Sequence, residues 1–169
     1  MELISMENKI VWMMVGAPGS GKSWVAQHTL MRGLGWRYIS RDEVRFSIVK
    51  DEEEYFSHEN KVYREFINRI KSALNEEGVF NVIADATHLN YASRRKLLRA
   101  LGRSGGNGVI PVVIQNDVSE MIKNNEMRSG RSCVPHSVVY RMNAQATDPA
   151  TDPIKYAGIM YIDNRQGVE

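Results

Sequence analysis

Short apolar runs alternate with amphipathic stretches along the chain. The first run, Lys9–Val15, leads through a glycine-rich segment into a stretch read as a helix from about Lys22 to Arg32. Gly33 and Gly35 end that helix and introduce a short strand, Trp36–Ile39. Ser40 is a good N-cap for a short helix from about Asp42 to Val49. Asp51 is placed to cap a longer helix, roughly Glu52–Glu77. Its apolar positions Tyr55, Phe56, Val62, Phe66, Ile67, Ile70 and Leu74 fall near the 3.6-residue period. Gly78 stops it. Val79–Ala84 is a second strongly apolar run, and a basic helix follows from about Tyr91 to Leu101. Val109–Ile114 reads as another buried strand after a loop from Gly102 to Gly108. Two helices, Ser119–Arg128 and Pro135–Asn143, flank a Ser/Gly/Arg segment, and Ile159–Ile162 would form the last strand.

Four to five short apolar strands separated by helices predict an α/β fold, a parallel sheet covered by helices on both faces. A single domain spans 1–169, with 1–8 an N-terminal extension and about 119–143 a lid and the helix after it. Ligands of such sheets sit beyond the carboxyl ends of the strands. The residues that follow each strand therefore carry most weight.

Composition narrows the class without naming a substrate. Apolar residues make up 43% of the 169 and charged ones 25%, a globular balance, and the net charge of +2 excludes neither a nucleic acid nor a small acceptor. One cysteine, Cys133, rules out an internal disulfide framework and a cysteine-based metal cage. No apolar stretch is long enough to span a membrane, and Met1–Lys9 has no apolar core of a signal peptide. A cytoplasmic protein without membrane partner is expected, and no obligate protein partner is evident.

Residues 16–23 read Gly-Ala-Pro-Gly-Ser-Gly-Lys-Ser, the P-loop spacing, after an apolar strand and before a helix. Consecutive backbone N–H groups can surround a triphosphate only where side chains stay clear, which Gly16, Gly19 and Gly21 allow. Ala17, Pro18, Ser20 and Trp24 complete the candidate nucleotide-binding stretch. Lys22 should reach the β- and γ-phosphates, and Ser23 should take one position on Mg²⁺. The expected ligands are ATP, or another nucleoside triphosphate, and Mg²⁺.

Asp42 and Arg45, three apart after the second strand, share a helix face that should look toward the P-loop. Asp42 is the candidate base for an acceptor hydroxyl, and Arg45 would bind a phosphate or carboxylate on that acceptor. The same spacing also fits an exposed ion pair, worth less than about 1 kcal/mol. Asp85 ends the third strand as a Walker-B-like acid would, able to hold Mg²⁺ through water or to orient the base; the alternative is a cap of the next turn. Thr87, His88 and Asn90 follow in a loop that could add contacts. The run Arg94, Arg95, Lys96, Arg99 and Arg103 is either a solvated helix face or a phosphate-backbone footprint. Arg128 and Arg131, in the mobile-looking basic segment, are candidates to neutralise charge on the donor. The four histidines are too scattered for a metal site, and Cys133 lacks a nearby base.

Together these segments resemble the 5′-kinase domain of phage-type polynucleotide kinases, within the wider group of small P-loop kinases. The likeness runs from about Ile10 to Asn143. It rests on the P-loop, on Arg41-Asp42 with Arg45 and Ser47-Ile48, on Asp-Ala-Thr-His-Leu-Asn at 85–90 followed by Arg94-Arg95, and on the segment ending Val134-Pro135. The resemblance implies that Asp42 is the general base, that Arg45 holds the phosphate on the 3′ side of the acceptor nucleotide, and that Arg128 contacts the donor phosphates. It also implies a polynucleotide 5′-hydroxyl end as substrate, in a bacterial or phage-infected cell. Three departures stand out. Asn124 occupies the place of a second lid arginine, the lid is about one residue longer, leaving Arg131 to replace the charge, and Asp-Ala-Thr stands for Asp-Thr, which shifts the match of Asp85 by up to one place. The alternatives are a kinase of a small-molecule hydroxyl and a non-catalytic nucleotide-binding module. No Asn-Lys-x-Asp guanine-reading segment supports the latter.

Overall fold

The structure, a computed structural model, describes residues 9–165. The N-terminal extension assigned to 1–8 lies outside the described residues. Five strands form one parallel sheet: β1 Ile10–Val15, β2 Trp36–Ser40, β3 Asn81–Asp85, β4 Val109–Gln115 and β5 Met160–Asp163, ordered β2-β3-β1-β4-β5. Apolar side chains alternate across its plane. Val11, Met13, Val82 and Ala84 face one helical layer, while Met14, Ile83, Val112 and Ile114 face the other. β1 sits centrally, with β3 and β4 on opposite sides, so the chain reverses direction across it and opens a crevice at the carboxyl ends. Register sets Ser40 beside Asp85 there, next to the end of β1 from which the P-loop departs.

The helices are α1 Lys22–Val25, α2 Arg41–Ile48, α3 Glu59–Asn75, α4 Tyr91–Ala100, α5 Val118–Glu126 and α6 His136–Ala144. Val44, Val62, Phe66, Ile70, Leu97 and Leu98, from α2, α3 and α4, build the larger core with the sheet. A smaller cluster of Ala17, Leu89, Met121 and Val139 lies under the α5–α6 lid. None of the helices among the described residues is long and apolar enough to cross a membrane.

Two expected helices change. After Val25 the chain widens into a π turn, Ala26–Leu30, with Met31 N reaching Ala26 O, and it stops short of Arg32. The helix expected from Glu52 begins only at Glu59, preceded by His58 at φ 60. The N-cap position of α3 belongs to His58 and not to Asp51, whose fully exposed carboxylate accepts from Arg131. Tyr55 and Phe56 had suggested an earlier start because they are apolar and in phase. Both lie in turns before α3 and face the crevice.

Candidate active site

The cleft beyond the strand ends is lined on one wall by Pro18, Lys22, Ser23 and Asp85 and on the other by Asp42, Arg45, Tyr55, Phe56 and Glu59. Arg128, Val134 and Met142 close it from the lid side.

The donor wall is shaped by backbone. Gly19 and Gly21 hold φ of 80° and 99°, a region that side chains strain to enter. A Cβ at Gly19 would also stand 2.0 Å from Met121 O, so the loop fits only as glycine against α5. Asn124 Nδ2 donates to Gly19 O at 2.9 Å, and Asn116 and Asn164 both donate to Ser20 O. The residue standing where a lid arginine was expected thus fastens the lid to the P-loop. Lys22 Nζ donates to Ala17 O at 3.0 Å. Burial pushes its ammonium below the ordinary lysine range; Asp85 opposes that shift, Arg128 adds to it and Asp42 opposes it. Those influences place Asp85, Arg128 and Asp42 within electrostatic reach of the lysine.

Ser23 Oγ donates to Asp85 Oδ2 at 2.7 Å, and Tyr38 Oη donates to the same oxygen at 2.5 Å. Burial, then the charge and hydrogen bond of Asp85, push the Tyr38 phenol well up, so it remains a donor at any working pH. A hydroxyl and a buried carboxylate in contact are hard oxygen donors that suit Mg²⁺ together with phosphate oxygens. The described residues hold no cluster of three His, Cys, Asp or Glu that could bind a metal unaided. The buried Ser20 Oγ has no partner among the described residues, and a Cβ at Gly16 would meet it at 2.6 Å. This one unpaired hydroxyl and the side-chain-free backbone around it fit a phosphate group.

The wall facing the P-loop is made of side chains. Ser40 Oγ accepts from Glu43 N, capping α2 and fixing the turn that delivers Asp42. Asp42 Oδ1 accepts from Arg45 Nη1 at 2.6 Å and from Tyr55 Oη at 2.7 Å, while Arg128 Nη2 lies 3.6 Å from Oδ2. Burial, then the charge and hydrogen bond of Asp42, push Tyr55 up to about 12. Arg45, only 5% exposed, spends its other donors on Glu59 Oε1 at 3.0 and 2.9 Å and stacks over Tyr55 and Phe56.

The sequence-derived candidates therefore divide. Lys22, Ser23, Asp42, Arg45, Asp85, Thr87, Pro18 and Arg128 share the cleft. Trp24 is 60% exposed and stacks on His28 instead. Asn90 is the N-cap of α4, in a reciprocal pair with Ser93. Arg131 donates to Lys50 O, Val49 O and Asp51, tying the lid to the end of α2. His88 is buried at φ 40°, its ring bonded to Met14 O, and burial lowers it to about 4. Arg94 is no surface cation: it is fully buried in a two-pronged pair with Asp152 at 2.7 and 2.6 Å. Tyr38, Tyr55, Phe56 and Glu59 were not foreseen as site residues. Only Tyr38 left a trace in sequence, lying two residues before Ser40 and so on the same side of its strand.

A family model described as an AAA domain matches residues 11–149, most of the chain. The chain belongs to that family. No curated protein matches the sequence. Among solved structures, a chain of the Pnkp1/Rnl/Hen1 RNA repair complex superimposes with a TM-score of 0.66 at 21% identity, over 81% of this chain and 43% of that one. The present chain thus spans less than half of that relative. A gluconokinase from Sinorhizobium meliloti 1021 matches with a TM-score of 0.58 at 18% identity, over 94% of this chain and 84% of that one. A sugar kinase from Janibacter sp. HTCC2649 gives 0.57 at 16%, over 94% and 87%. At such identities the likeness is one of fold, and the fold of this AAA-domain protein is that of the P-loop kinases.

Proposed function

We propose that the protein is an ATP- and Mg²⁺-dependent kinase that moves a γ-phosphoryl group to the 5′-hydroxyl end of a polynucleotide, DNA or RNA. One observation carries the reading: Asp42, steadied by Arg45 and Tyr55, shares its cleft with Lys22 and the Ser23–Asp85 pair. That is the arrangement of base and phosphate anchor that phosphoryl transfer to an alcohol needs.

In this reading the loop amides and Lys22 hold the donor phosphates. Ser23 and Asp85 would hold Mg²⁺, which when bound screens charge on the β- and γ-oxygens. Asp42 takes the hydroxyl proton as the alcohol oxygen forms its bond to the γ-phosphorus. The bond from that phosphorus to the β–γ bridging oxygen breaks, and ADP leaves with the electron pair. Lys22 and Arg128 offset the charge that gathers there. Thr87 contributes a hydroxyl beside the acceptor. Arg45 holds the acceptor's 3′-side phosphate, exchanging contacts with Glu59 for contacts with the phosphate oxygens.

A second reading is a kinase of a small polyol or sugar acid. Two observations favour it: Glu59 already neutralises Arg45, and kinases named for such substrates align along 94% of the chain. Transfer of labelled γ-phosphate decides between them, with a 5′-hydroxyl oligonucleotide, nucleosides, nucleoside 3′-monophosphates and gluconate as acceptors. The oligonucleotide should label best, and 3′-monophosphates should outperform nucleosides. Label in gluconate or nucleosides alone overturns the polynucleotide reading. No transfer to any hydroxyl overturns both.

A further inference from the structure

The basic run 94–103 is sorted by the fold into three fates. Arg94 is inside, paired with Asp152. Arg103 donates to Lys9 O and Gly108 O, at the amino ends of the strands and away from the cleft. Arg95, Lys96 and Arg99 remain exposed on α4, a helix with no acidic residue, and among the described residues none of the three pairs with a carboxylate. By contrast Arg37, Arg41, Arg45, Arg69 and Arg131 each have a carboxylate partner.

This unpaired face is physically joined to the cleft. Lys96 Nζ sits 4.0 Å from the Tyr63 ring centroid, and the Arg41 guanidinium lies 5.4 Å from the same centroid. Arg41 itself lines the cleft on the acceptor side. At this joint Arg41 Nε and Tyr63 Oη are buried with no hydrogen-bond partner among the described residues. These are donors without acceptors at the edge of the cleft, where an anion drawn to Arg41 would be favoured. α4 begins soon after the cleft-lining Asp85–Thr87 segment and runs back along the sheet, so Arg99 stands about 12 Å along its axis from Tyr91. No large apolar side chain of α4 is exposed, which argues against a lipid surface.

We propose that the Arg41–Tyr63 joint and the exposed α4 face of Arg95, Lys96 and Arg99 form a track for the phosphodiester backbone of a single-stranded polynucleotide whose 5′ end is in the cleft. The track rests on the polynucleotide reading above and extends it from the terminal nucleotide to those that follow. Recognition is Coulombic, so DNA and RNA strands of one sequence should bind alike.

The test compares the wild-type protein with the triple variant Arg95→Gln/Lys96→Gln/Arg99→Gln. A second variant, Lys61→Gln/Arg64→Gln, removes exposed cations from the groove that α3 shares with Ser47 and Ile48. Anisotropy of a labelled 5′-hydroxyl strand of about twelve nucleotides is titrated over a range of salt, in DNA and RNA forms. Losing three phosphate contacts should lower the magnitude of the log K against log salt slope by about 2 and weaken binding roughly tenfold. The α3 variant should change the slope by less than half as much. The rise in KM should grow with acceptor length, least for a dinucleotide and greatest for the long strand. Equal slopes in the triple variant and the wild type overturn the track. Equal effects of the two variants, or displacement of the strand by polyglutamate as readily as by unlabelled strand, also overturn it, because the surface is then a general anion binder. If no 5′ end is phosphorylated at all, the kinase reading fails, while the salt titration still reports on the track.

Discussion

The two walls of the cleft are built from different materials. The P-loop wall is largely backbone, held by glycine geometry and by amide side chains on its carbonyls, with Lys22, Ser23 and Asp85 set on it. The opposite wall, which the proposed reading gives to the acceptor, is a web of charged and phenolic side chains from α2, the turns before α3, α3 itself and the lid, with Asp42 and Arg45 at its centre. A backbone site recognises what every triphosphate shares, whereas a side-chain site can be rewired by single substitutions. The division explains how proteins of one fold can keep a common donor and differ in acceptor.

The sharpest way to separate the walls is Asp42→Asn. Transfer should fall about 10³–10⁴-fold while ATP affinity changes less than about twofold, read by steady-state transfer and by nucleotide titration. Parallel loss of both would mean that the walls are not independent.

His88 lies behind the P-loop, its ring on Met14 O, while the neighbouring Thr87 O accepts from Gly16 N. Held at about 4, the folded histidine stays neutral where the unfolded one gains a proton. Between pH 6.5 and 4 the unfolded chain therefore binds more protons, and stability present above that window is lost as pH falls through it. His88→Asn tolerates the φ of 40° and should flatten the decline by about 3 kcal/mol in denaturation series across that range. An unchanged pH profile would mean that His88 is not kept neutral by its burial.

Gly19→Ala attacks the P-loop where α5 presses against it. Its methyl must displace the Met121 carbonyl, and ATP affinity should drop about 10–100-fold by calorimetry, with retained folding checked by circular dichroism. The smallest effect is expected for Arg131→Ala, which frees the lid from the end of α2. It should raise the acceptor KM a few-fold and leave the KM for ATP in place. The opposite pattern would return Arg131 to the donor side.

The same contrast governs what could be read from the residues alone. The P-loop was legible because phosphate binding demands glycine at fixed intervals, and the α2 cap was legible because Ser40 acts on a backbone group three residues away. β1, β3 and β4 stood out as apolar runs, whereas β2, with Arg37 in it, and the four-residue β5 were fainter, so that four to five strands were expected. The acceptor wall was only half visible. Tyr55 and Phe56 keep helical phase with the α3 core, and nothing local reveals that His58 turns the chain first. Arg94 and Arg95 are neighbours of one type, yet one is buried and one exposed, because the partner that decides, Asp152, lies 58 residues away. Glu59 reaches Arg45 across 14 residues, and no short motif encodes that meeting.

One detail of the lid has a practical reach. Asn125, wholly buried, clasps Val134 through both its N–H and its carbonyl, so the segment between them is a closed handle. The chain's single thiol, Cys133, is exposed at the foot of that handle. A fluorophore or spin label attached there would stand beside the cleft-lining Val134 without any engineered cysteine, and would show whether the handle keeps its place when either substrate arrives.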